Sequence, residues 1–249
     1  MDSNRRAALT AGVLLITATV TNVVGTGLSR PLLNDPDRLA RLSPNAVQVT
    51  GGALLELVGA GASVGIAIAL YPVLRKRSAG LALGAVVFRT IEATMYTLAV
   101  VGLLALLALS RQFVSAGATD RATLQAAGGA LLGVRDQAGL LSVGAFCIGG
   151  LLYYWAFYQS GLIPRWLSGA GLAAVVLLLA AWLLALFTQT SMLSYVPLAL
   201  PLAVQEMVLA VWLIAKGFSA SALPGAVQPQ PPIANRSDHA RALIQEGHP

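Results

Sequence analysis

Glu56, Arg89, Glu92, Arg135, Asp136 and Glu206 are ionisable side chains set in stretches that otherwise read as lipid-soluble. Glu56, Arg89, Glu92 and Glu206 lie deep within apolar runs long enough to cross a bilayer. A charge at mid-membrane costs about 2.5–3.5 kcal/mol on an insertion scale, so chains that keep one face it inward and pair it. The chemistry open to such a set is proton carriage, ion pairing between helices, or the holding of a charged ligand. Arg89 and Glu92 are three residues apart and share a helix face, with Tyr96 one turn further on. At 1.5 Å per residue, Arg89, Glu56 and Glu206 each fall roughly 15 Å in from one end of their spans, which makes a single shared polar site geometrically possible. Arg135 and Asp136 are expected at the outer mouth of the fourth span, where Arg135 could snorkel to headgroups. Four carboxyls then face two arginines. Glu56 and Glu206 are left without obvious partners, and either is expected to hold a proton or meet a cationic ligand. The competing expectation is that Arg89 bridges Glu92 to one other glutamate and only locks helices.

The elements that must position these residues follow from composition. The chain has 249 residues, 57% hydrophobic and only 10% charged, with mean hydropathy +0.75. A soluble domain typically carries about 25% charged residues, so this chain cannot coat a water-facing surface. The pattern predicts an all-α polytopic membrane protein, a bundle of six transmembrane helices. The spans are expected at about 7–28, 46–74, 79–109, 137–158, 166–187 and 195–215. Residues 1–217 form the six-span domain. Pro224, Pro229, Pro231 and Pro232 mark 218–249 as a disordered Pro-rich tail. The segment Asp120–Gln125 is expected to start a helix that lies on the outer surface or runs into the fourth span.

Orientation follows from positive charge in short loops. Arg5, Arg6, Arg75, Lys76, Arg77, Arg165 and Lys216 fall on one side, with Arg75-Lys76-Arg77 the strongest vote. Both termini are therefore expected in the cytoplasm. The formal charge of +6 is explained by these orienting residues, and nucleic acid is not an expected partner. The expected partners are the lipid bilayer and an unidentified small molecule or lipid. The sequence sets no oligomeric state.

Other patterns are weaker. Gly61 with Gly65, and Gly80 with Gly84, have the small-xxx-small spacing that lets helices approach. Pro197 and Pro201 could open the start of the sixth span above Glu206. Asn22 and Gln205 add amides near the outer half. Tyr153, Tyr154, Trp155, Phe157, Tyr158 and Trp166 read as an interfacial aromatic belt. The sole cysteine, Cys147, permits no disulfide within the chain, and His239 and His248 both lie in the polar tail. With no histidine in the spans and no HExxH, Walker or GxSxG pattern, no metal or cofactor is expected and an enzyme is disfavoured.

Two motifs carry a family resemblance. Phe88-Arg89-Thr90-Ile91-Glu92-Ala93 resembles an F-R-x-x-[QE]-A pattern, and Tyr158 to Leu167 resembles a Y-x-S-G-[FL]-[IL]-P-R-x-L turn. With six spans, they resemble the bacterial membrane proteins grouped as domain of unknown function 4386, over about 7–217. The resemblance implies a six-helix bundle in the inner (plasma) membrane and carries no activity with it. The turn has a physical reading of its own: Gly161 caps one helix, Pro164 starts the next, and Arg165 stays at the cytoplasmic side. The leading functional expectation is a protein that binds or transports a small molecule or proton-coupled ligand at Glu56, Arg89, Glu92, Glu206 and Asp136. The alternatives are a membrane-embedded enzyme acting on lipid or isoprenoid substrates, and a structural or regulatory subunit.

Overall fold

The computed structural model describes residues 3–219; the Pro-rich tail expected over 218–249 lies outside them from residue 220 onward. Seven α-helices follow in order: α1 (Ser3–Leu33), α2 (Arg38–Leu42), α3 (Ala46–Leu74), α4 (Ala79–Ser115), α5 (Ala118–Ser160), α6 (Arg165–Thr188) and α7 (Val196–Ala215). All but α2 are long and apolar enough to cross a membrane. A 3₁₀ turn at Met192–Tyr195 leads into α7. There is no strand among the described residues.

Each spanning helix packs on the next in sequence, and α7 returns to α1. The six spans therefore form a closed ring. Arg5 fastens the seam, donating to the carbonyls of Leu213 at 3.2 Å and Ile214 at 2.7 Å. Those carbonyls lack intrahelical partners at the end of α7, and the negative end of the helix dipole favours a cation there. The same contact puts the start of α1 and the end of α7 on one face, called here the seam face. The α4–α5 connection and α2 lie at the opposite, loop face.

The helices differ greatly in length. α7 has 20 residues and α5 has 43, or about 30 and 65 Å at 1.5 Å per residue. A hydrocarbon core is about 30 Å thick, so α4 and α5 project beyond it as a hairpin. The segment 120–125 forms the first turns of α5, the second of the two arrangements expected for it. At the loop face Leu33, Leu39, Leu42, Val100, Leu103 and Leu106 bury one another. Ser110 joins α2 to α4 there: its hydroxyl donates to the Leu39 carbonyl and accepts from the Ser43 amide.

Close approach rests on small residues. A Cβ on Gly25 would come within 2.8 Å of the Gly52 carbonyl, and one on Gly52 within 2.9 Å of the Gly25 carbonyl. This mutual contact joins α1 to α3 one turn from Glu56. Of the small-residue pairs marked in the sequence, only one member of each packs inside the ring: Gly65 on Leu14 and Gly84 on Leu152, while Gly61 and Gly80 face open space. α7 runs through Pro201 as continuous helix, so the proline does not open it.

The α5–α6 turn behaves as its sequence predicts. Gly161 adopts φ 64°, and its amide donates to the Phe157 carbonyl. Leu162 and Ile163 plug into the core, and the Leu167 and Ser168 amides begin α6 on the Pro164 carbonyl. A Cβ in the left-handed region costs about 1–2 kcal/mol. Gly161→Ala is therefore expected to lose about 1 kcal/mol of unfolding free energy in detergent. Gly51→Ala, at a helical position where a Cβ meets nothing, is expected to hold or gain stability in the same assay.

Candidate functional site

The buried charges form two polar layers, not the single shared site that the depth count allowed. The upper layer, nearer the loop face, joins α3 to α5. Arg135 Nη2 donates to Glu56 Oε1 at 3.0 Å and to Oε2 at 3.2 Å. Arg135 Nη1 donates to the Ala99 carbonyl of α4 at 2.8 Å. The Ser29 hydroxyl of α1 donates to Glu56 Oε1 at 3.1 Å. Glu56 is 1% and Arg135 6% exposed, so the pair is desolvated on both sides. Gly102 of α4 makes room for the Arg135 backbone, since a Cβ there would meet Arg135 Cβ at 3.1 Å.

The lower layer centres on Arg89. Its Nη1 donates to Glu92 Oε2 at 3.1 Å and to the Ser63 hydroxyl at 3.1 Å. Its Nη2 donates to the Tyr153 hydroxyl at 3.1 Å and lies 3.6 Å from Glu206 Oε1. Ser63 in turn donates to Glu92 Oε1, and Tyr153 to Glu206 Oε1. The guanidinium sits 4.2 Å from the Phe146 ring centroid and 5.2 Å from that of Tyr153, within cation–π range. Its Nε has no acceptor. Helices α3, α4, α5 and α7 thus meet at one side chain. Formally, one arginine faces two carboxyls.

The spacing of the layers is set by a common step. Glu56 and Ser63 are seven residues apart on α3, Glu92 and Ala99 on α4, and Arg135 and Ser142 on α5. Ser142 donates to the Glu92 carbonyl at 3.1 Å, tying α5 to α4 in the lower layer as Arg135 does in the upper. Two helical turns separate the layers by about 10 Å on all three helices.

Three expectations change. Arg135 does not snorkel at the mouth of a span, because α5 starts at Ala118 and carries it several turns into the bundle. Glu56 and Glu206 each have a partner. They do not share a depth, because the 29-residue α3 begins farther toward the loop face than the 20-residue α7. Counted from the seam face, Glu206 and Arg89 both lie about 15 Å deep, and Glu56 about 27 Å. The aromatic belt also divides. Trp155, Tyr158 and Trp166 face outward, whereas Tyr153, Tyr154 and Phe157 are core. Tyr154 donates to Gln205, whose amide donates to the Leu167 carbonyl at 3.1 Å. Tyr153, Ser63, Ser29 and Phe146 were not singled out from the sequence as parts of the charged site. Their signal is helical spacing toward a charge: Ser63 and Glu56, and Phe146 and Tyr153, are both seven apart.

Asp136 lies apart from both layers, at the rim. Arg30 of α1 holds its Oδ1 through Nη1 at 3.1 Å, and Nη2 donates to the Ser191 hydroxyl at 3.2 Å. These residues rim a vestibule of about 470 Å³ inside the ring at the loop face. Its upper wall is Arg30, Asp136, Gln137, Gln189, Thr190 and Ser191. Thr26, Tyr96, Arg135, Leu140, Val143, Ala185 and Met192 complete the lining. The space stops short of Arg89. Among the described residues no group of three or more His, Cys, Asp or Glu is arranged to hold a metal ion.

Removing one partner of a buried pair strands the other, at a cost of about 3–5 kcal/mol, whereas an apolar pair of similar volume is close to neutral. Glu56→Met and Arg135→Met are each expected to destabilise by about that amount. The double variant is expected to unfold in sodium dodecyl sulfate titration closer to wild type than either single one.

The family model described as Domain of unknown function (DUF4386) matches residues 10–217, which contain the charged layers and the vestibule. No curated protein and no solved structure matches the chain. The match spans most of the chain and contains the Arg89–Glu92 pair and the Gly161 turn, and with its six candidate membrane spans the chain belongs to this family of unknown function.

Proposed function

We propose that the protein binds a small polar molecule in the loop-face vestibule, as the open-sided state of a transport-type membrane protein. The observation that carries this reading is the cavity itself. At about 470 Å³ it falls in the 300–1,000 Å³ range of small-molecule sites. Its lining combines Arg30, Asp136 and Arg135 with Leu140, Val143, Ala185 and Met192, and Arg135 is held from behind by the buried Glu56. The Arg89 layer lies beneath it as a plug: α3, α4, α5 and α7 converge there, and the two carboxyls around one arginine leave a formal excess negative charge. In this reading Glu56 and Arg135 shape the site, Asp136 contacts the ligand, and Arg89, Glu92 and Glu206 control passage below.

The membrane home is read as the bacterial inner membrane. The seam face is read as cytoplasmic, supported by Arg5, Arg6, Arg75, Lys76, Arg77, Arg165 and Lys216. The vestibule then opens to the outside. A purely structural role draws support from the pairing of both buried arginines, but it gives the vestibule nothing to do.

Gly139 lines the vestibule, and a Cβ on it meets nothing within 4 Å. Gly139→Leu is thus expected to fill the space while the protein accumulates in the membrane at the wild-type level. Untargeted metabolite profiling of cells lacking the protein, cells with wild type and cells with Gly139→Leu is the measurement. The variant is expected to reproduce the profile of the deletion. A variant profile equal to wild type, with the deletion clearly different, would exclude the vestibule from function.

A further inference from the structure

The charges around the vestibule sum to zero before any ligand arrives. Arg30 and Arg135 supply two positive charges, and Asp136 and Glu56 supply two negative ones. The two pairs are not equivalent. Arg135 and Glu56 are almost wholly buried and spend their hydrogen bonds on each other, on Ser29 and on the Ala99 carbonyl. Arg30 and Asp136 keep 25% and 46% of their side-chain surface exposed and are joined by one contact. An exposed single-contact ion pair is worth little, about 0–1 kcal/mol, so a ligand can take its place at small cost. Arg30 also has an Nε without an acceptor, so the present arrangement leaves a guanidinium donor unmet.

A molecule inserted between Arg30 and Asp136 must satisfy both. An anion would leave Asp136 facing it, and a cation would leave Arg30 facing it. Each would add a net charge to a site whose paired charges otherwise cancel. A neutral polar molecule would separate the two charges and offer each only a dipole. A zwitterion meets both and preserves neutrality. The vertical order of the lining adds a second property. Arg30 and Asp136 are at the rim, and Leu140, Val143 and Ala185 lie farther toward the seam face along α5 and α6, with Tyr96 of α4 beside them. The ligand end that points inward is apolar.

Resting on the vestibule as the binding site, we propose that its ligand is a zwitterion with a short apolar body, its anionic group on Arg30 and its ammonium group on Asp136. Two sources share the charged half of this chemistry: a free amino acid, whose apolar side chain is the short body, and the headgroup of phosphatidylethanolamine, whose apolar part is its acyl chains. The Ser191 hydroxyl sits against Arg30 Nη2 at 3.2 Å, where it can join the anionic half. Arg30 links α1, α5 and the α6–α7 connection across the mouth, so a ligand that replaces the Arg30–Asp136 contact also changes what bridges the rim.

The test uses the full-length protein in nanodiscs of phosphatidylglycerol, with thermal unfolding and equilibrium dialysis as readouts. The probes are the twenty free amino acids one at a time, then 4-methylpentanoate and 3-methylbutylamine as leucine analogues lacking the ammonium or the carboxylate. A parallel arm compares nanodiscs containing phosphatidylethanolamine. Expected is binding of one or more apolar amino acids, at least tenfold tighter than either analogue. Asp136→Asn is expected to abolish the preference for leucine over 4-methylpentanoate, and Arg30→Gln the preference for leucine over 3-methylbutylamine. If only phosphatidylethanolamine stabilises the protein, and Asp136→Asn removes that effect, the zwitterion is the lipid headgroup. Failure of every amino acid and of phosphatidylethanolamine would overturn the proposal, as would binding that is indifferent to both substitutions. If zwitterions fail while Gly139→Leu still reproduces the deletion phenotype, the ligand class is wrong and the vestibule stands.

Discussion

The fold turns on the neutralisation of two arginines away from water. A guanidinium cannot be deprotonated and presents five donors, so each must find several acceptors at fixed geometry. Arg135 finds Glu56 and a main-chain carbonyl of α4, and Arg89 finds Glu92, Ser63, Tyr153 and the nearby Glu206. These requirements fix the rotation and height of α3, α4 and α5 together. Dispersion packing between lipid-soluble helices specifies register only weakly, because one apolar ridge resembles the next. The seven-residue step shared by three helices supplies that register in two places at once.

The two layers also differ in character. The upper pair is balanced and enclosed, with every named donor matched. The lower one is unbalanced, holds an unmatched Nε, and is faced by aromatic rings from one side. Partly satisfied polar clusters inside proteins are costly to keep and are where a structure departs from pure packing. The contrast is one of satisfaction: Glu56–Arg135 is matched, and the Arg89 layer carries one carboxyl more than its single guanidinium.

Much of this was legible beforehand. The limits of α3 are read from hydropathy to the residue, and Gly161 at the end of α5 from its turn chemistry. Arg89 with Glu92 needs only helical spacing. The Glu56–Arg135 pair was hidden because depth was counted from the start of each apolar run. α5 begins nineteen residues before the Gln137 at which its span was expected to start, since a projecting helix need not be apolar where it leaves the lipid. Tyr153 was hidden for another reason. An aromatic side chain with a hydroxyl fits an interface and a buried hydrogen bond equally well, and only the partner helix α7 decides between them.

The mutual contact of Gly25 and Gly52 has a consequence for synthesis. Glu56 emerges 79 residues before Arg135, an interval of roughly 4–16 s at translation rates of about 5–20 residues per second. Through that wait the carboxyl lacks the Arg135 Nη2 that later donates to both its oxygens. Its available company is Ser29, on a helix already made, and the close glycine contact is what brings that hydroxyl within 3.1 Å. The α1–α3 contact therefore supplies the one side-chain hydrogen bond to Glu56 that does not wait for Arg135. Arg89 meets no such delay, since Glu92 enters the membrane on the same turn.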